Sequence, residues 1–282
     1  DALDHVDLTL EPGHIYGLIG RNGAGKTTLL SALTAQTPVD AGTVTYGGAP
    51  VWENEAVLGE LCFSRELGST VGGMNNALKV KDYLNAGRLF YPHWDEAYAQ
   101  KLITQFKLAP KKRISALSKG MASMLTIVLA LASRAPITFM DEPVAGLDVV
   151  AREDFYRLLL DDYAETGRTF VISTHILEEA SNVFEKVLII KEGRLIEACD
   201  ADELLAQFCA VTGRDDVVNK ACAGLNILHT ETLGRQKSCV VRVPAETMAA
   251  KGLDVDCTSL PLQKVFVALC GHEQELQEHR EG

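Results

Sequence analysis

Residues 15–33 read IYGLIGRNGAGKTTLLSAL, and this stretch limits the fold more than any other. An apolar run, Ile15 to Ile19, reads as a short buried strand. A loop with Gly20, Gly23 and Gly25 follows, and then a helical pattern from Lys26 to Ala35. Gly20 to Thr27 matches G-x-x-x-x-G-K-[ST] after a strand and at the opening of a helix, the context that gives the pattern meaning. The glycines let backbone approach a phosphate closely. The N–H groups of the loop, Asn22, Gly23, Ala24 and Gly25 among them, and of the helix start at Lys26, Thr27 and Thr28 point at that phosphate. Lys26 brings charge to the terminal phosphates of a nucleotide, and the Thr27 hydroxyl suits Mg²⁺.

The stretch PITFMDEP, 136–143, supplies a second part. Ile137 to Met140 is an apolar strand that ends on Asp141 and Glu142, and two carboxylates at the edge of a buried strand cost free energy unless paired or solvated. Beside a phosphate loop, Asp141 is expected to hold Mg²⁺ through water. Glu142 is expected to act on the attacking water as a general base or an orienting group.

Apolar runs and helical patterns alternate up to about residue 200, with further strands at Thr169–Ser173 and Val187–Lys191. Such alternation predicts a parallel sheet covered by helices. About residues 76–135 are helical and strand-poor, which predicts an all-helical insert. Beyond about residue 203 the pattern changes to a hairpin around Gly234, a helix, a strand at LDVDC (253–257) and a last helix, a small α+β unit. The end EQELQEHREG (273–282) reads as a frayed helix.

Within the insert, ISALSKGMASML (114–125) places Ser118, Lys119 and Gly120 just before an apolar run. A Ser–x–Gly step at a helix start leaves N–H groups for an anion. Phe90, Tyr91, His93 and Trp94 lie close together, either as core or as a groove for a membrane partner.

The formal net charge of −11 argues against a nucleic-acid partner, and Lys111–Arg113 is read as a solvated basic patch. The longest apolar run, around Met124 to Ala132, is interrupted by Thr126 and is too short to span a bilayer. The opening stretch is charged and strand-like, not a signal peptide. Seven cysteines without a C-x-x-C pair read as free thiols in a reducing compartment.

These parts, in this order, resemble the ATP-binding subunits of bacterial ABC transporters. LSKGM (Leu117–Met121) resembles the LSGGQ signature, GLD (Gly146–Asp148) the D-loop, and STH (Ser173–His175) the switch histidine. The resemblance covers about residues 1–200. FYPHWDEAYAQKLITQFKL and LASRAPITFMDEPVAGLDVVAR further resemble the YtrB-like subgroup. The resemblance implies an α/β P-loop NTPase core of ABC type (1–203) with a helical subdomain (about 76–135), followed by an accessory α+β domain (204–282). It implies an ATPase using ATP and Mg²⁺, with Lys26, Glu142 and His175 at the chemistry. Two such cassettes pack head to tail in the family. Ser118 and the Gly120 N–H would therefore reach the terminal phosphate held by a second subunit, identical or related, with Asp148 also at the nucleotide site. The other partner implied is a separate membrane permease, placing the chain in the cytoplasm on the inner face of the membrane. Alternatives are a soluble ABC-class ATPase unconnected with transport and a catalytically weak regulatory member of an asymmetric dimer.

The sequence departs from the family pattern at several points. Lys119 replaces the first signature glycine, adding charge near the nucleotide, and Met121 replaces the glutamine. In LCFSREL (61–67) Glu66 falls where the family has a glutamine; its carboxylate oxygen can still reach Mg²⁺ or the attacking water but adds negative charge close to the γ-phosphate, and Arg65 lies one register away. The adenine-stacking aromatic normally lies upstream of ALDHVDL, so the sequence reads as starting past it at Asp1, with Tyr16 or His5 as other places for it. The closing LPLQKVFVALCG resembles the C-terminal helix of many such subunits.

Overall fold

The computed structural model describes residues 2–67 and 78–271. The frayed helix expected at 273–282, the first two residues of the expected helical insert and Asp1 lie outside them.

The first strand, β1 (Ile15–Ile19), leads through the glycine loop into α1 (Lys26–Leu33). The helix stops two residues short of the expected Ala35. Thr34 bonds back to the Leu30 carbonyl through its hydroxyl, and Ala35 turns to φ 53°. A hairpin of β2 (Thr45–Tyr46) and β3 (Ala49–Pro50), the short α2 (Glu55–Leu58) and β4 (Leu61–Ser64) follow. Three helices come next: α3 (Val80–Phe90), α4 (Glu96–Gln105) and α5 (Lys119–Ala132). Then come β5 (Ile137–Asp141), α6 (Val149–Thr166), β6 (Thr169–Thr174), α7 (Leu177–Ala180), β7 (Lys186–Lys191), β8 (Arg194–Asp200) and α8 (Ala201–Ala206).

Six strands form one sheet in the order β4-β5-β6-β1-β7-β8, parallel except for β8. Parallel strands need helical crossovers on both faces, so both faces are buried and the strands read as continuous apolar runs. Successive side chains point to opposite sides. Leu18, Phe139, Val171 and Leu188 face a core with Leu29 and Leu30 of α1. Ile19, Met140, Ile172 and Ile189 face a second core with α5 and α6. Helix α5 is buried almost all round from Leu125 to Ala132, which makes it a central element.

The remaining chain runs β9 (Cys209–Arg214), α9 (Asp215–Ala221), β10 (Ile227–Leu233), β11 (Gln236–Val241), α10 (Ala245–Ala249), β12 (Asp256–Ser259) and α11 (Leu262–Cys270). The hairpin turns at Gly234 as expected. The last strand starts at Asp256 instead of residue 253, because pairing with β9 begins at Asp256 opposite Thr212. The antiparallel order β10-β11-β9-β12 is that of a ferredoxin-like split βαβ unit. One sheet face packs Cys209, Val211 and Cys239 against Val218 and Met248. The other face, through Ala210 and Val240, joins the large core with Val265 of α11. Arg242 bonds Glu197 at 2.6 Å and Gln207 across the same junction. No described helix is long and apolar enough to cross a membrane. All seven cysteines are free thiols.

Candidate functional site

The phosphate loop closes on Gly25, the N-cap of α1, at φ 108°. A side chain there is strained, and its Cβ would lie 2.9 Å from the Ala2 carbonyl oxygen. The first turn of α1 carries no acidic residue, so the positive end of its dipole stays uncancelled. Asn22 is exposed, Ala24 is buried and Thr28 is half-buried.

Beside this loop, β1, β5 and β6 end together. Lys26 donates to the Gly20 carbonyl at 2.7 Å, and its Nζ lies 3.4 Å from Glu142 Oε1. Thr27 donates its hydroxyl to Asp141 Oδ2 at 2.7 Å. Glu142 Oε2 stands 2.9 Å from His175 Nδ1. A carboxylate only accepts, so Nδ1 carries the hydrogen and Nε2 is left to meet a ligand. Glu142 adopts φ 48°, which costs a residue with a Cβ roughly 1–2 kcal/mol. Strained backbone of this kind collects at functional sites.

Ser173 ties the two carboxylates together. It faces Asp141 in the β5–β6 register, donates to Asp141 Oδ1 and accepts from the Glu142 backbone N–H at 3.0 Å. The sequence placed Ser173 at a strand end and within STH; the pairing of strand ends is what makes it a support for the site.

The helix start expected at Ser118–Gly120 forms. Ser118 is the N-cap of α5 and accepts from Met121 N–H at 3.3 Å. Gly120 sits so close to the D-loop that a Cβ would lie 2.9 Å from the Gly146 carbonyl oxygen. Ser123 donates to the Ala145 carbonyl at 2.7 Å, a second tie that the sequence did not reveal. Asp148 caps α6, accepting from Ala151 N–H at 2.9 Å.

Glu66 lies just past β4, whose Ser64 pairs with Met140, at the sheet edge that carries Asp141 and Glu142. Its carboxylate pairs with Lys119. Tyr91 is buried and burial pushes its hydroxyl pKa up, Trp94 packs on the core and donates to Glu96, and Phe90 is 56% exposed. Tyr16 is a core residue with its hydroxyl bonded to Glu11, and the exposed His5 ring pairs with Asp4.

A parallel sheet, a glycine loop at a helix start and an acidic strand end bonded to the loop threonine define a P-loop NTPase. The particular family follows from comparison. The ABC transporter family model matches residues 3–145, and the chain belongs to that family. It is 30% identical over 234 residues to the ABC transporter ATP-binding protein YtrB of Bacillus subtilis, covering 83% of this chain and 79% of that one. It is 31% identical over 291 residues to the Nod factor export ATP-binding protein I of Burkholderia lata, covering 97% and 93%. A bacterial ABC transporter cassette solved as a dimer superposes with TM-score 0.61 at 20% identity, covering 71% of this chain and 90% of that one. The chain is an ATPase of the ABC type and the motor subunit of a transporter.

Proposed function

We propose that the chain hydrolyses ATP at a site shared between two cassettes and drives a separate membrane permease. The observation that carries this reading is the bonded set Lys26–Glu142–His175 beside Thr27–Asp141–Ser173. Lys26 and the α1 N-terminus bind the β- and γ-phosphates. Glu142, held between Lys26 and His175, orients the attacking water or takes its proton, and His175 Nε2 meets the γ-phosphate. A phosphate that draws Lys26 away frees Glu142 for this work.

The hydroxyl of Thr27 and the carboxylate of Asp141 are hard oxygen donors in contact, a set that fits Mg²⁺ completed by substrate phosphate and water. The ion would be held by these two residues and would neutralise charge on the phosphates.

Ser118 and the Gly120 N–H act on the opposing subunit's nucleotide, with Asp148 at the same interface. The dimeric form of the superposed cassette supports this arrangement. Relatives described as ATP-binding proteins of transporters, among them YtrB, support a separate permease as partner, a position at the inner membrane surface and membership of the YtrB-like subgroup. The division into a cassette (1–203) with its helical subdomain and an accessory domain (204–282) belongs to the same reading. Glu142, His175 and Lys26 together favour hydrolysis over a catalytically weak role.

Purification of the tagged chain from membranes, with ATP hydrolysis measured with and without Lys26→Ala, tests the proposal. A co-purifying integral membrane protein and hydrolysis abolished by Lys26→Ala are expected. Hydrolysis indifferent to Lys26→Ala, or recovery without a membrane partner, contradicts it.

A further inference from the structure

Two positions where this chain departs from the family pattern touch each other. Lys119 stands in place of the first signature glycine and Glu66 in place of the glutamine after β4, and Lys119 Nζ lies 3.2 Å from Glu66 Oε1. Neither charge is buried: the side chains are 58% and 51% exposed. The stem of Lys119 is nevertheless held. A Cβ on Gly146, which sits at φ 79°, would come within 2.6 Å of Lys119 Cγ and 2.9 Å of Cδ. The D-loop backbone therefore supports the stem, while the ammonium is free to swing at the start of α5. No acidic residue in the first turn of α5 competes for it.

We infer that Lys119 is an exchangeable cation. It pairs with Glu66 inside its own chain and transfers to the terminal phosphate of the ATP held by the opposing cassette when the two close. This inference rests on the head-to-tail reading above. The energetics permit the exchange. An ion pair this exposed changes an equilibrium by no more than about fivefold. A polyphosphate at a closing, partly desolvated interface carries more charge and is screened less. Transfer leaves Glu66 unpaired in the segment that leads out of β4. Closure on one subunit's nucleotide is thereby reported to the β4 edge of the other subunit.

The test is ATP-driven dimerisation of the whole chain, followed by light scattering and by the ATP concentration for half-maximal hydrolysis. Five forms are compared: unsubstituted, Glu66→Gln, Lys119→Gly, Lys119→Gln and the double variant Glu66→Gln with Lys119→Gly. Glu66→Gln releases Lys119 for phosphate and should lower the ATP requirement about two- to fivefold at low salt, with the gain shrinking at 0.5 M salt, where the screening length falls to a few ångströms. In the Lys119→Gly background the same Glu66→Gln change should have no effect. Lys119→Gln, which keeps a stem on Gly146, should behave as Lys119→Gly does and separates charge from packing. If Glu66 acts by its own repulsion of phosphate, Glu66→Gln gives the same gain with and without Lys119, and the inference is overturned. A chain that dimerises and hydrolyses with additive effects overturns the exchange alone. A chain that does neither with ATP removes the ATPase reading on which it rests.

Discussion

Ser173 donates its hydroxyl hydrogen to Asp141 Oδ1 across 2.5 Å. The same oxygen accepts the N–H of Glu142, so one side chain of β6 sets the positions of both carboxylates at the end of β5. Ser173→Ala leaves a buried carboxylate short of a donor, which costs about 1–3 kcal/mol. Lower urea resistance and a raised Mg²⁺ requirement for hydrolysis are expected. If Mg²⁺ titration of hydrolysis gives the same midpoint in both proteins, Ser173 does not support the metal site.

Glu142→Gln keeps the shape of the site and removes the base. ATP binding should persist, hydrolysis should fall by roughly 10²-fold or more, since general-base catalysis is worth that much, and an ATP-bound dimer should accumulate. Hydrolysis at the parent rate would show that Glu142 is not the group acting on water.

Ser118→Arg puts bulk and charge at the N-cap of α5. If the signature acts on the opposing subunit, the monomer's affinity for ATP stays nearly intact while dimerisation and hydrolysis are lost. Equilibrium binding of a fluorescent ATP analogue to the monomer decides the point, because a large loss there would place Ser118 at its own chain's nucleotide.

Asp162 is fully buried and bonds Arg168 at 2.7 and 3.0 Å and Arg134 at 2.9 Å. Arg168 also donates to the Leu131 carbonyl, and Arg134 reaches Asp95, so the cluster joins α4, α5, α6 and the sheet. Asp162→Ala leaves the buried Arg168 without its carboxylate, while Arg134 keeps Asp95 and Glu165, and should cost about 3–5 kcal/mol. Urea unfolding measures it; a loss under about 1 kcal/mol would mean that the carbonyl acceptors alone satisfy Arg168.

Burial pushes the Cys209 thiol up to about 11 from its ordinary value near 9, with Cys257 and Cys222 beside it. Burial also raises Cys62, Cys222, Cys257 and Cys270. The folded chain then holds protons that the unfolded chain has released. This stability is fully present below pH 9 and lost as pH rises from 9 through 11. The urea midpoint should fall over that window, and Cys209→Ala should flatten part of the decline. A midpoint that is level or rising from pH 9 to 11 contradicts the assignment.

Much of this protein was legible in the order of residues alone. The run from Ile15 through Gly25, Lys26 and Thr27 specifies strand, loop and helix locally, because glycine conformations, helix initiation and apolar periodicity act over a few neighbours. The same holds for Ser118 as the cap of α5, Gly234 as a turn and the strand ending on Asp141. What the sequence could not decide were relations between distant segments. Strand order and register bring Ser173 opposite Asp141. Close packing of α5 against the loop after β5 presses Gly120 and Lys119 onto Gly146, and the ends of β4 and α5 put Glu66 beside Lys119. The ferredoxin-like order of the last four strands belongs here too, since a one-residue slip in β12 against β9 would send Cys257 from the small core to the other face. Local propensity is a property of neighbours in the chain. Register and packing are chosen by the burial of whole faces, and only the folded chain carries that information.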